Sequence, residues 1–254
     1  MKHIPNIFTL LNLFFGCIAI VCILQNGITI MYGDDGSQFA NIPERIWLAP
    51  LFIGLAALVD FFDGFLARLL KQSSPLGREL DSLADVVSFG VAPGMILYQF
   101  LRISFMQQAD GIDVSMIRLL PAFILPCAAA YRLAVFNLDN SQSTSFKGIP
   151  VPAVGMTVAS FPLIYWFRNS EWVINILLNK WVLYGIILFL SYGMVSRLPM
   201  LSMKFSGKQD PQLLPRLILV ILSAVAIIFL QWLAIPLIFL FYIIVSLAFK
   251  NRIA

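Results

Sequence analysis

Apolar runs of about 16 to 25 residues recur along the whole 254-residue chain, and each is long enough to cross, or nearly cross, a hydrocarbon core of about 30 Å as a helix. That pattern confines the chain to a bundle of transmembrane α-helices, because backbone polar groups in lipid must be paired within the segment that carries them. The residues outside the runs agree. Hydrophobic residues make up 60% of the sequence and charged residues 12%, with a mean hydropathy of +0.88, far from the roughly half-apolar, quarter-charged make-up of soluble domains. No soluble domain of useful size remains. The first run, IFTLLNLFFGCIAIVCIL, follows Lys2 and His3 as a secretion signal would, but it is long, carries Thr9, Asn12 and Gly16, and lacks a small-residue cleavage site. It reads as a retained first span.

The spans fall at 6–30, 47–70, 80–105, 117–138, 150–167, 176–196, 216–232 and 234–250, giving an all-α bundle of eight helices. The last pair is either two short crossings that turn near Gln231 to Pro236 or one long bent helix. With the N-terminus inside, Lys2, Arg68, Lys71, Arg78, Arg132, Lys147, Arg197, Lys204, Lys208, Arg216, Lys250 and Arg252 lie at cytosolic ends and loops. Arg45, Arg102, Arg118, Arg168 and Lys180 lie opposite. Twelve against five is the positive-inside bias, and it predicts both termini in the cytosol. Residues 1–196 form the expected core; 197–254 add a basic inner loop and a C-terminal helical hairpin. MYGDDGSQFANIPER and QQADGIDVS read as outer loops. Cys17, Cys22 and Cys127 lack metal-site spacing and read as buried small hydrophobes.

Against this background the stretch DFFDGFLARLLKQSSPLGRELDSLAD is anomalous, since it places Asp60, Asp63, Asp81 and Asp85 where apolar residues belong. A carboxylate in hydrocarbon costs at least a few kcal/mol, so such residues are paired or line a wet cavity. At about 100° per residue, Asp60, Asp63, Gly64 and Ala67 share one edge of a helix, while Gly77, Asp81 and Asp85 share an edge of the next. Ser74 and Pro75 should end the first helix, and the connection is too short for anything but an antiparallel hairpin. Facing edges would gather four acids in the cytosolic part of the membrane, where like charges cannot all stay ionised unaided. Oxygen-only ligands suit a hard divalent cation, Mg²⁺ or Mn²⁺, and four carboxylates are enough to anchor two. Gly64, Ala67 and Gly77 either admit a flat or phosphorylated ligand to the backbone or serve tight helix packing.

The pattern D60-x₂-D63-G64-x₂-A67-R68-x₈-G77-x₃-D81-x₃-D85 resembles the signature of the CDP-alcohol phosphotransferase family at every fixed position. The resemblance implies a membrane enzyme that moves a phospho-group from a CDP-linked donor to an alcohol and releases CMP. It implies Asp60, Asp63 and Asp81 as metal ligands, Asp85 as general base that also touches metal, and Gly64, Ala67 and Gly77 as the floor under the nucleotide. Arg68 is similar to the motif arginine, near phosphate, opposite the aspartates, or snorkelling at the membrane edge.

IPNIFTLLNLFFG, YRLAVFN (Tyr131 to Asn137) and FKGIPVPA (Phe146 to Ala153) resemble the phosphatidylserine synthase branch. That implies CDP-diacylglycerol as donor, L-serine as acceptor and a homodimer in the membrane, with no nucleic-acid partner. Serine needs a cation for its carboxylate, and Arg132, with Asn137 and Lys147, either supplies it or belongs to ordinary inside positives. Val135 departs from the branch, which usually has a basic residue there. Thr9 and Asn12 either face the nucleotide or join helices by hydrogen bonds. Two rival readings are a family member using glycerol 3-phosphate or inositol phosphate, which would want a stronger cationic patch, and an ion-coupled transporter, for which no internal repeat is seen.

Overall fold

The computed structural model describes residues 4–25, 29–32, 38–41, 45–69, 74–107, 114–138, 146–167, 170–201 and 212–250. The chain enters through α1 (Ile4–Leu24), whose buried residues Pro5, Thr9, Asn12, Gly16, Ala19 and Ile23 recur every three or four positions. This stripe packs most extensively on α2 (Leu48–Leu69), which answers with small or slim residues at Ala49, Ile53 and Ala56. Small residues let helices approach closely where lipid provides no hydrophobic drive for association. Between them, β1 (Thr29–Tyr32) and β2 (Gln38–Asn41) pair antiparallel in the connection between α1 and α2.

The third span is one continuous helical stretch of three parts: α3 (Pro75–Asp85), a π-helical segment (Val86–Val91) and α4 (Ala92–Met106). It starts five residues before the expected boundary. Ser74 has extended backbone and its Oγ accepts from Gly77 N at 3.0 Å, with Pro75 at the first turn. The pair thus starts this helix, where a proline's missing N–H is harmless.

The π segment is clamped from three sides. Gly16 of α1 abuts Ser88, and a Cβ on Gly90 would lie 3.2 Å from Ala129 of α5 (Ile124–Leu138). A Cβ on Gly155 of α6 (Val151–Phe167) would lie 2.8 Å from Phe89 Cβ. Wide π turns inside α-helices are uncommon and concentrate at functional sites. The centre of the molecule lies just beyond, where Phe89, Ile96, Leu97 and Phe100 are fully buried.

A short helix α7 (Glu171–Leu177) meets α8 (Lys180–Val195) at a bend of 61°. The FKGIPVPA segment is tied to the far end of α8. β3 (Phe146–Lys147) pairs with β4 (Pro199–Met200), Gly148 N donates to Leu198 O, and Ile149 N donates to Gly193 O. Gly148 has φ +77°, and a Cβ there would sit 2.6 Å from Met194 O. Only glycine suits both demands.

α9 (Leu213–Leu230) and α10 (Ala234–Ala248) flank a 3₁₀ turn at Gln231–Leu233, with Gln231 at φ 51°. Leu201 and Leu219 form a small buried cluster against which Phe241, Tyr242 and Phe249 pack, and α9 and α10 pack extensively on each other. A straight helix would hold Leu219 and Phe241 about 33 Å apart, so the pair folds back as a hairpin. By length and hydropathy, five of the described helical stretches can cross a membrane, or six counting α7 with α8, and the whole of α9–α10 is one of the five. α6, at 17 residues, is shorter. Cys17 and Cys127 are exposed on the helix surface, not buried; an apolar residue of a bundle can face lipid as readily as a neighbouring helix.

Candidate active site

The acidic stretch forms the end of α2 and the whole of α3. Carboxylate oxygens of Asp60, Asp63 and Asp81 lie within 4.8 Å of one another. Asp85 lies against Asp60 and within electrostatic reach of Asp63 and Asp81. Asp85, 6% exposed, accepts from Asn12 Nδ2 at 3.2 Å through Oδ1. Asp63, equally buried, accepts from Thr9 Oγ1 at 2.8 Å. One face of α1 therefore reaches two of the four acids, and Ser88 Oγ of the π segment closes the frame by donating to Asn12 O at 3.0 Å.

Thr9 and Asn12 thus differ. Thr9 both holds Asp63 and lines a cavity of about 310 Å³, whereas Asn12 is fully buried outside that lining, with its Oδ1 unpartnered. Asn6, Asp63, Gly64, Gly77, Arg78 and Asp81 complete the polar wall of the cavity. A Cβ on Gly64 would meet nothing within 4 Å, so this glycine is open space beside the acids, not a helix contact. Gly77 is tighter, at 3.1 Å from Ser74 Oγ and 3.2 Å from Asn6 Oδ1. Arg78 was counted in the sequence only as an inside-loop positive; its position beside the motif glycine was the signal for a place in the wall. The side chains of Ala67 and Arg68 lie outside the described residues.

Arg132 of α5 is within electrostatic reach of Asp85 and of Tyr242 of α10, and its Nε is buried without a hydrogen-bond partner. Asn137 is committed elsewhere: its Nδ2 donates to Ser82 Oγ at 2.9 Å, tying α5 to α3. Lys147 contributes backbone to β3, while its side chain lies outside the described residues. Tyr242 had no sequence signal, because the segment around it is uniformly apolar.

The donor set fits a hard divalent cation. Three carboxylates converge, and the hydrogen-bond donors that α1 brings to the acids, a hydroxyl and an amide, are neutral and leave the negative charge in place.

The fold and site define a helical membrane protein with an acid-lined cavity suited to a divalent cation. The sequence model of the CDP-alcohol phosphatidyltransferase family matches residues 2–192, and the chain belongs to that family. It is similar to the CDP-diacylglycerol–serine O-phosphatidyltransferase of Bacillus subtilis (strain 168), 33% identical over 171 residues, covering 65% of this chain and 78% of that protein. The Saccharomyces cerevisiae protein of the same name is 35% identical over 159 residues, covering 59% and 50%. The archaetidylserine synthase of Methanothermobacter thermautotrophicus is 30% identical over 138 residues, covering 54% and 52%. The chain thus matches about half the length of the latter two.

Proposed function

We propose that this chain transfers the phosphatidyl group of CDP-diacylglycerol to the hydroxyl of L-serine, forming phosphatidylserine and CMP. Asp60, Asp63 and Asp81, with Asp85 beside them, would hold two divalent cations, Mg²⁺ or Mn²⁺. Bound there, such cations neutralise the charge of the diphosphate and of the departing CMP.

The chain's own residues do the rest. The serine hydroxyl oxygen bonds to the lipid-side phosphorus as the bond from that phosphorus to the CMP oxygen breaks, and the hydroxyl proton passes to Asp85. Asn12 fixes one oxygen of Asp85 and leaves the other for the substrate. Arg132, within reach of the same aspartate, takes the serine carboxylate or the lipid phosphate, for which a guanidinium is a suitable partner. Thr9, Gly64 and Gly77 line the nucleotide's cavity, with Ala67 and Arg68 one turn further along α2. Asn137 supports the acceptor side through Ser82, and Lys147 lies in the adjacent loop. Direct attack needs no covalent enzyme intermediate.

We further propose eight crossings with both termini in the cytosol, a bacterial inner membrane, an active site facing the cytosol, a homodimer, and a division into residues 1–196 and 197–254. The positive-inside bias supports the orientation.

The observation that carries the reading is the meeting of three carboxylates, two of which line the cavity, next to an Asp85 that has an arginine in reach. Purified protein with CDP-diacylglycerol and a panel of labelled alcohols provides the test. Labelled lipid is expected from serine, with one CMP released per turnover; incorporation from glycerol 3-phosphate or inositol phosphate in place of serine would overturn it.

A further inference from the structure

A second cavity, of about 500 Å³, lies between α6 and the α9–α10 hairpin, walled by Ala153 and Met156, by Leu219, and by Ile238, Phe239 and Tyr242. We propose that it holds one acyl chain of the nucleotide-linked lipid substrate, an assignment that rests on the phosphatidyl-transfer reading above.

Its chemistry suits hydrocarbon. Thr157, the polar residue in its depth, is satisfied by its own helix, donating to Ala153 O at 2.8 Å. Tyr242 OH donates to Leu201 O at 3.2 Å at the rim. Neither hydroxyl proton is left for a polar guest.

Its direction suits a lipid whose head is at the active site. The wall runs along α6 from Pro150 to Thr157 and along α10 from Tyr242 back to Ile235, about 10 Å on each helix. Tyr242 stands at one end of this wall and is the residue within electrostatic reach of Arg132, which in turn reaches Asp85. A single amphiphile with its phosphate among these charged groups and its tail along α6 therefore occupies both regions. The nucleotide cavity, walled by α1, α2 and α3, shares no lining residue with this groove, so the two ends of a nucleotide-linked lipid are recognised separately.

The hairpin that forms one wall lies beyond residue 192, where the family match ends. The groove thereby joins α6, inside the matched region, to a hairpin outside it, and the hairpin is placed to discriminate between acyl chains.

Filling the groove tests the assignment. In detergent, wild type, Ala153→Phe and Ile238→Trp are compared with long-chain and dihexanoyl CDP-diacylglycerol, with thermal midpoints recorded. Loss of buried methylenes should raise KM for the long-chain substrate about tenfold or more while kcat/KM for the short one stays within about twofold. Equal effects on both substrates, or none on either, would overturn the groove as a substrate site.

A diazirine in the acyl chain of the long substrate gives a readout on wild-type protein that needs neither turnover nor a folded variant. Photolabelling of α6 and α10 residues supports the proposal, and labelling confined to other helices refutes it. The phosphatidyl-transfer reading fails separately, if wild type releases no CMP on addition of serine with either substrate.

Discussion

The two cavities of this molecule are built by opposite means. The one beside the acids takes its wall from α1 and one helical hairpin, and the polar atoms at and behind that wall are individually specified: Thr9 on Asp63, Asn12 on Asp85, Ser88 on the Asn12 carbonyl. The groove beside α10 is walled by apolar side chains from α6, α9 and α10 and demands only volume and hydrophobicity. Hydrophobic walls tolerate exchange of residues of similar size, whereas charged and hydrogen-bonded groups do not. The family match covers the acid side and α6 and ends at residue 192, before α9. The contrast is open to direct attack.

The largest effects should fall on the acid side. Asp85→Asn removes the proposed proton acceptor without changing shape, and turnover should drop about 10²- to 10⁴-fold. Asp81→Asn should do the same by weakening the cation site, with part of the loss recovered at higher Mg²⁺ or Mn²⁺. Chelation should abolish CMP release, and added cation should restore it. Met156→Ala in the groove should instead change KM for lipid and leave kcat within about twofold. Comparable falls in kcat on both sides would erase the distinction.

Next come the glycines, which separate packing from recognition. Gly155→Val drives a side chain into Phe89 of the π segment, an overpacking that typically costs about 1–3 kcal/mol. The thermal midpoint should fall together with activity, because the same segment follows Asp85 directly. Gly64→Ala meets no neighbour, so stability should hold while KM for the CDP-linked lipid rises as the cavity narrows. Unchanged KM would remove Gly64 from the substrate's path.

Much of the acid side was legible in the sequence because the informative residues are few and close along the chain. Helical periodicity alone put Asp60 with Asp63 and Asp81 with Asp85, and a short connection forced the two edges together. Periodicity could not tell how Asp85 is held, because its partner Asn12 lies 73 residues away. Nor does residue pattern announce a π segment: VVSFGV reads as ordinary span, and its close neighbours, Gly16 of α1, Ala129 of α5 and Gly155 of α6, are distant in sequence. Cys17 and Cys127 illustrate the converse limit, since an apolar helix in lipid carries no pattern separating its packed face from its exposed one. The groove was illegible for the same reason. Ser74 and Pro75 were noticed as a boundary, but cap geometry was needed to assign them to the start of α3.

Asn12→Ala should have a smaller effect than the aspartates. A hydrogen bond to a charged group contributes about 1.5–3 kcal/mol, so its loss should lower kcat about 10- to 100-fold. KM for serine should change little, since the amide holds Asp85 and does not line the cavity beside the acids.

The smallest change in turnover should come from the hairpin's own anchor. Ser246, fully buried, accepts from Leu201 N at 3.1 Å and so ties α10 to the segment after α8. Ser246→Ala strands that backbone N–H away from water, which costs about 1–3 kcal/mol, equivalent to a fall of about 2–4 °C in thermal midpoint per kcal/mol for a chain of this size. Because Leu201 and Tyr242 meet at the groove's rim, the loosened anchor should be felt first as weaker binding of long-chain lipid. Serine-dependent turnover of a short-chain substrate should stay within about twofold of wild type. A large loss of kcat on that substrate would place α10 inside the reacting centre and end the division between an acid side that performs the chemistry and a hairpin that accommodates lipid.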